Sequence, residues 1–341
     1  MTIQQVLSMV RPHLLNLQPY SSARDEFDQS KVDINQFVFL DANENPFNTG
    51  YNRYPDPLQR ELKKKISSIK GVPYDQIFVG NGSDEAIDLI IRLFCNEGDT
   101  IHIPYPTYGM YEVSAKINNV NIKRSLLDEN FNLGDVDMNQ KIIFLCSPNN
   151  PTGNLLDVQS VLDKFNGIVV VDEAYIDFSS KASFIKQLGN YPNLIVLQTF
   201  SKAWGLAGLR LGMAFADPEI IALLNKIKPP YNISSATQKL ALQALARNEQ
   251  TDEWVKSIKA ERSRVAAELT KLPLVKDVFP SEANFLLVRI EGAAEIYHEL
   301  VGSMIVVRDR SQVVRCSDCL RITIGTPKEN DQLLDALRKS K

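Results

Sequence analysis

Three short apolar runs constrain this chain more than any other feature: KIIFLC at 141–146, IVVVD at 168–172 and LIVLQTF at 194–200. Each has strand length and little polar alternation, as expected of strands buried on both faces. Helical or loop segments separate them. The pattern predicts a mostly parallel sheet covered by helices on both sides, an α/β fold. IFVGNG at 77–82 reads as a strand ending in a glycine turn, and SDEAIDLIIRLF at 83–94 as a helix with Ser83 at its N-cap. LGMAFA at 211–216 is a further strand.

Other segments fill in the organisation. Leu58, Leu62, Ile66 and Ile69 recur at the helical period, predicting an amphipathic helix. FVFLD at 37–41 reads as a strand. The stretch 41–57, crowded with Asn, Pro, Gly and Tyr, reads as an irregular, ordered segment facing a partner or ligand. From about 236 the character changes. ATQKLALQALAR and DEWVKSIKAERSRVAAELTKL read as helices, the second suited to joining two domains. NFLLVRI (284–290), SMIVVRD (303–309) and CLRITIGT (319–326) read as strands of a smaller α/β domain, closed by the helix DQLLDALRK. The expected division is an N-terminal segment 1–44, a large domain 45–245 and a small domain 246–341.

Composition excludes several classes of function. The 38 basic and 41 acidic residues leave a net charge of -3, which gives no electrostatic reason to expect nucleic acid or an anionic membrane. No run approaches the ~20 apolar residues that span a bilayer, and the start of the chain lacks the pattern of a signal peptide. A cytoplasmic protein is expected. Cys316 and Cys319 form a CxxC, but no second one accompanies it, and His13, His102 and His298 lack ligand spacing. No metal site is expected, and these thiols read as small buried side chains.

In parallel sheets ligands bind beyond the carboxyl ends of the strands, and four motifs fall at that edge. GNGSDE (80–85) is a glycine turn opening a helix, whose free N–H groups attract phosphate. Glu85 stands where a dinucleotide fingerprint needs its third glycine, which disfavours a nicotinamide dehydrogenase. Taken alone, the motif reads more simply as a tight turn with a capped helix. In SPNNPTG (147–153) turn chemistry explains Pro and Gly, while Asn150, held extended before Pro151, can turn its amide to a cleft. In VVVDEAY (169–175) Asp172 ends a very hydrophobic strand, where a carboxylate is costly unless it meets a positive partner. A protonated pyridine nitrogen is such a partner; a helix-capping role is the plainer alternative. In TFSKAWGLAGLRLG (199–212) Lys202 lies among Trp204, Leu206 and Leu209, where desolvation lowers its pKa and favours nucleophilic chemistry. Thr199 and Ser201 add hydroxyls, and Arg210 adds a fork of donors for phosphate.

Taken in order, RPHLLNLQPYSSARD, NRYPDP, GNGSDE, PTYGMY, SPNNPTG, VVVDEAY, TFSKAWGLAGLRLG and CLRITIGT span nearly the whole chain. Together they resemble the fold-type I pyridoxal-phosphate-dependent aminotransferases, and among these the histidinol-phosphate aminotransferase family. The resemblance implies a large α/β/α domain plus a smaller α/β domain, pyridoxal 5'-phosphate as cofactor, and a homodimer with shared active sites. It implies that Lys202 carries the cofactor covalently and does the proton transfer, and that Asp172 partners the pyridine nitrogen. Asn150 and Tyr175 resemble donors to the ring 3-oxygen, and Tyr108 the aromatic stacked on the ring. Ser83, Asp84, Thr199, Ser201 and Arg210 match the phosphate cup, with the Asp84 side chain expected to point away. Tyr54 resembles a tyrosine that reaches the neighbouring subunit's cofactor.

For the substrate, Arg321 with Arg308 resembles an anion clamp serving a phosphate ester and a dicarboxylic acid in turn, with Arg310 an open alternative to Arg308. Tyr20 and Arg24 resemble a segment closing over the imidazole end. The implied reaction is L-histidinol phosphate plus 2-oxoglutarate giving imidazole acetol phosphate plus L-glutamate. An aminotransferase for aromatic amino acids and a decarboxylase for a phosphorylated amino acid are the competing expectations.

Overall fold

The computed structural model describes residues 1–20 and 37–340. The described elements begin with two short helices, α1 (Ile3–Leu7) and α2 (Pro12–Leu15), and the amphipathic α3 (Arg60–Lys70). An alternating series follows: β1 (Ile77–Asn81), α4 (Gly82–Phe94), β2 (Thr100–Tyr105), α5 (Met110–Ile117), β3 (Asn121–Leu126), β4 (Ile142–Cys146), α6 (Val158–Leu162), β5 (Ile168–Asp172), β6 (Leu194–Thr199) and β7 (Leu211–Phe215). Three helices come next, α7 (Pro218–Ile227), α8 (Ser235–Leu245) and the long α9 (Asn248–Leu269). The chain ends with β8 (Val275–Val278), β9 (Phe285–Ile290), α10 (Ala293–Gly302), β10 (Arg308–Asp309), β11 (Cys319–Thr323) and α11 (Pro327–Lys339).

The first seven strands form one sheet in the order β1-β7-β6-β5-β4-β2-β3. β3, β2, β4, β5 and β6 run parallel; β7 is antiparallel to both its neighbours. The reversal has a local cause. No long helix lies between β6 and β7, and without a crossover a strand can only return antiparallel.

Side-chain alternation along the central strands builds two cores at once. Ile143, Leu145, Val169 and Val171 enter one apolar cluster; Ile142, Phe144, Ile168 and Val170 enter the other, on the opposite face. These residues are fully buried, each stabilising the fold by roughly 1.5–3 kcal/mol relative to exposure. Val6 and Val10 join the second cluster with Ile87 and Ile90 of α4. The N-terminal helices are therefore packed on the large sheet's helical layer.

The remaining strands form an antiparallel sheet in the order β10-β11-β9-β8. Leu286, Val288, Leu320 and Ile322 face a third cluster with α9, α10 and α11. Phe285, Leu287 and Cys319 face the other way and join the first core. One strand pair thus ties the small sheet to the large one. Thr326 and Glu329 form a capping box that starts α11.

Several expectations need correction. FVFLD is not a strand: residues 37–40 carry no regular structure and Val38 and Leu40 are exposed. Only Arg308–Asp309 of the 303–309 run pairs. The edge strand β3 escaped notice because NIKRSL is mostly solvent-facing and polar. α4 begins at Gly82 with Asn81 at its N-cap, so Ser83 lies inside the first turn. Among the described residues no helix is long and apolar enough to cross a membrane.

Candidate active site

The carboxyl ends of β4, β5 and β6 open into a cavity of 690 Å³. Thr199 and Asp172 are the last residues of β6 and β5, and Asn150 and Lys202 stand in the turns after β4 and β6. All four line the cavity with Tyr175. The parallel topology thus collects side chains from separate apolar runs at one edge.

Asp172 is 2 % exposed and forms no ion pair among the described residues; burial raises its pKa, while a hydrogen bond from Tyr111 and the Lys202 charge oppose the rise. Tyr111 Oη donates to Oδ2 at 2.7 Å and Ala174 N donates to Oδ1 at 3.0 Å. Tyr111 in turn stacks on Phe144 with ring centroids 4.8 Å apart. Sequence reasoning missed Tyr111. The available signal was its place three residues after Tyr108, in the first turn of α5.

Lys202 points its amine over the Tyr175 ring, 5.6 Å from the centroid. Burial lowers its pKa most, the Arg321 charge adds to the fall, and Asp172 partly offsets it. The lysine is therefore biased towards the neutral, nucleophilic amine. Asn150 Nδ2 donates to Tyr175 Oη at 3.3 Å, and Arg321 Nη1 donates to Asn150 Oδ1. The Tyr175 ring meets Phe285 edge-on, and Arg321 lies over that same phenylalanine. Burial holds the Tyr175 phenol protonated well above ordinary pH.

The opposite end suits an anion. Asn81 offers no side-chain cap to α4, so beyond Gly82, whose N–H is spent on Arg210 O, the first-turn N–H groups meet no capping side chain. Ser83, Asp84, Thr199, Ser201 and Arg210 all line this end. Gly82 N donates to Arg210 O at 2.9 Å, and Gly82 takes a φ of +74°. A Cβ there would sit 2.9 Å from Arg210 Nη2, and one on Gly212 would overlap the Gly82 and Ser83 backbone. Glycine at both positions lets β7 and α4 meet closely enough to aim Arg210 at the helix start. The Asp84 side chain does not point away, as expected above. It accepts from Tyr108 Oη at 3.0 Å and lies 3.5 Å from Arg210 Nη2.

Tyr108, Met110 and Val113 supply an apolar wall, and Arg308, Arg310 and Arg321 line the same cavity. Two anticipated residues are not brought here. Tyr20 is 68 % exposed and lines a separate 420 Å³ cavity with Arg60 and Tyr231. Tyr54 stacks on Tyr231 at 4.6 Å, outside the Lys202 cavity. Arg24 lies outside the described residues. Among the described residues no cluster suits a metal ion, and all four cysteines are buried free thiols.

The donor set fits pyridoxal phosphate: an uncapped helix start beside an arginine for the phosphate, a buried acid for the ring nitrogen, paired Asn and Tyr donors, and a desolvated lysine. Residues 29–337 match the family model for aminotransferases of class I and II. The chain is 54 % identical to a histidinol-phosphate aminotransferase of Parabacteroides distasonis over 99 % of this chain and 100 % of that one. The crystal structure of the histidinol-phosphate aminotransferase from Clostridium acetobutylicum superposes with a TM-score of 0.76 at 29 % identity, covering 85 % of this chain and 90 % of that one. The Sinorhizobium meliloti enzyme, in complex with pyridoxal-5'-phosphate, shares the fold at 24 % identity and a TM-score of 0.75, over 84 % and 82 % of the two chains. The chain therefore belongs to the class I and II aminotransferases, with the fold-type I architecture and within the histidinol-phosphate aminotransferase family.

Proposed function

We propose that the protein moves the amino group of L-histidinol phosphate to 2-oxoglutarate, using pyridoxal 5'-phosphate, as a step of L-histidine biosynthesis in the cytoplasm. One observation carries the reading. Lys202 and Asp172 share a cavity with Arg308, Arg310 and Arg321, and no described carboxylate forms an ion pair with those arginines. A reactive amine, a buried acid and surplus positive charge suit amine chemistry on an anionic substrate.

The cofactor supplies an electron sink that acidifies the substrate Cα–H. Lys202 would hold it covalently, Asp172 would keep its ring nitrogen protonated, and Asn150 and Tyr175 would bind its 3-oxygen. Tyr108 would lie against the ring. Ser83 and Asp84 backbone N–H groups, with Thr199, Ser201 and Arg210, would bind its phosphate. Asp84 already sits beside Arg210, so its carboxylate must give way as the phosphate arrives.

Lys202, once free, takes the proton from the substrate Cα and returns one on the same face, as base and then acid. Its lowered pKa favours the neutral amine that a proton-accepting role needs. Arg321 with Arg308 binds the substrate's distal anion, phosphate ester in one half-reaction and carboxylate in the other. Met110 and Val113 give that side of the cavity an apolar lining. A large unit, 45–245, and a small unit, 246–341, would hold the two sides of this site.

We further propose a homodimer in which Tyr54 reaches the partner's cofactor phosphate. The exposed run of Phe47, Tyr51 and Tyr54 supports a covered face. Tyr20 would close over the substrate only with a shift of its segment.

The test is stopped-flow absorbance of the cofactor-loaded protein with histidinol phosphate, histidinol or phenylalanine. Fast loss of the cofactor band with histidinol phosphate alone is expected. An equal response to phenylalanine would move the protein to the aromatic branch. Release of CO₂ without an oxo-acid acceptor would make it a decarboxylase.

A further inference from the structure

Three guanidinium groups converge at the substrate end of the cavity. Arg308 and Arg321 are direct register partners across β10 and β11, so their side chains leave the sheet on one face. Arg310 comes two residues after Arg308, and its N–H donates to Cys319 O at 2.8 Å, extending the ladder. A period of two returns its side chain to that face. All three line the cavity.

This cluster is unbalanced. Several other arginines of the small sheet and its helices find acids, Arg264 with Glu261 and Asp331, Arg289 with Asp277 and Arg338 with Glu268, while Arg262 of α9 donates to the Phe178 and Ala283 carbonyls. Arg308, Arg310 and Arg321 pair with none among the described residues. Burial and mutual repulsion push Arg310 and Arg321 below the ordinary arginine range. Arg310 Nε is buried without a hydrogen-bond partner, whereas Arg321 already spends a donor on Asn150. Leaving that donor unpaired is costly, and among the described residues no acceptor fixes this guanidinium as Asn150 fixes Arg321.

The count of charges points to the ligand. A carboxylate carries one negative charge, and the Arg308–Arg321 pair suffices to bind it bidentately. A third guanidinium beside it would only repel the other two. A phosphate monoester above its second pKa of about 6 carries nearly two charges and three acceptor oxygens. We infer that Arg310 is the specificity-determining residue that reads the second negative charge of a phosphate-ester substrate, while Arg308 and Arg321 are shared with the oxo acid. The inference rests on the proposed reaction and deepens it.

The test uses cofactor-loaded protein, in which the cofactor's own phosphate site is filled, and two probes of similar shape. Methyl phosphate gains its second charge near neutrality; methyl sulfate stays a monoanion. Calorimetry on the wild type should show methyl phosphate bound about tenfold more tightly at pH 8, with the ratio falling towards one at pH 5.5. Arg310→Gln should reduce the pH 8 ratio to about two, and Arg310→Lys should retain most of it. With histidinol phosphate, Arg310→Gln should raise KM by about tenfold to a hundredfold, a larger change than in kcat. A ratio unchanged by Arg310→Gln, or flat with pH in the wild type, overturns the inference. Should Arg310→Gln fail to hold cofactor, the same loss of ratio is read from Arg310→Met, and a ratio unchanged there overturns the inference. A wild type that binds the probes as expected but does not react with histidinol phosphate overturns the proposed reaction instead.

Discussion

Tyr111 Oη and Asp172 Oδ2 are joined by a 2.7 Å hydrogen bond wholly inside the protein. The bond favours the ionised acid, against burial that disfavours it. Tyr111→Phe keeps the ring on Phe144 and removes the donor. It should cost about 1–3 kcal/mol of stability at neutral pH. The sign with pH follows from the bond's preference for the carboxylate. Its contribution is present at high pH and shrinks as pH falls through the raised folded pKa of Asp172. Thermal melts at several pH values and cofactor dissociation measurements check this. A variant that melts like the wild type and retains cofactor equally would remove Tyr111 from any role in setting Asp172.

Arg321 acts on Lys202 at a distance as well as on any bound anion. Burial lowers the lysine pKa first, and the Arg321 charge is the next cause. Removing that charge in Arg321→Met should raise the Lys202 pKa, so covalent uptake of pyridoxal phosphate should need a higher pH. Arg321→Lys should leave the profile near that of the wild type. The readout is the protein mass gained after reductive trapping, followed from pH 6 to 9. An unshifted profile in Arg321→Met would show that the Arg321 charge does not help to set the lysine.

What the sequence disclosed and what it hid follow one physical line. β4, β5 and β6 were legible because strands buried on both faces leave unbroken apolar runs, and Asp172 and Lys202 stood out as polar residues at their ends. β3 was hidden because an edge strand need not be apolar. FVFLD misled because apolar residues at a surface look the same in sequence as apolar residues in a sheet. Tyr111 was hidden for another reason: its partner lies 61 residues away, and only the fold brings them together. The substrate arginines were partly legible. Both Arg308 and Arg310 were in view, but a choice between them assumed that one clamp position existed, whereas both line the cavity.

The close approach of β7 to α4 makes a local prediction. A methyl group at Gly212 would overlap the backbone of Gly82 and Ser83, which cannot swing aside as a side chain would. Gly212→Ala should destabilise the protein by about 1–3 kcal/mol and loosen the phosphate end of the site. Gly208→Ala is the control, since a Cβ there meets nothing within 4 Å. Denaturant midpoints of the two variants, together with cofactor affinity, make the comparison. Equal behaviour of the two would show that the helix start has room to move.

Tyr54 lies outside its own chain's Lys202 cavity and stacks on Tyr231. If it serves the partner's site, two defective chains can repair one another. Lys202→Ala supplies an intact tyrosine, and Tyr54→Ala supplies an intact lysine. In a hybrid dimer, one site then has both residues and the other has neither. Unfolding and refolding an equal mixture should make half the dimers hybrid, each with one good site, so activity should reach roughly a quarter of the wild type. The assay is run at limiting cofactor, where loss of a phosphate contact is felt most. If Tyr54 instead serves its own chain, no hybrid site contains both residues. The mixture then stays at the average of the two parents.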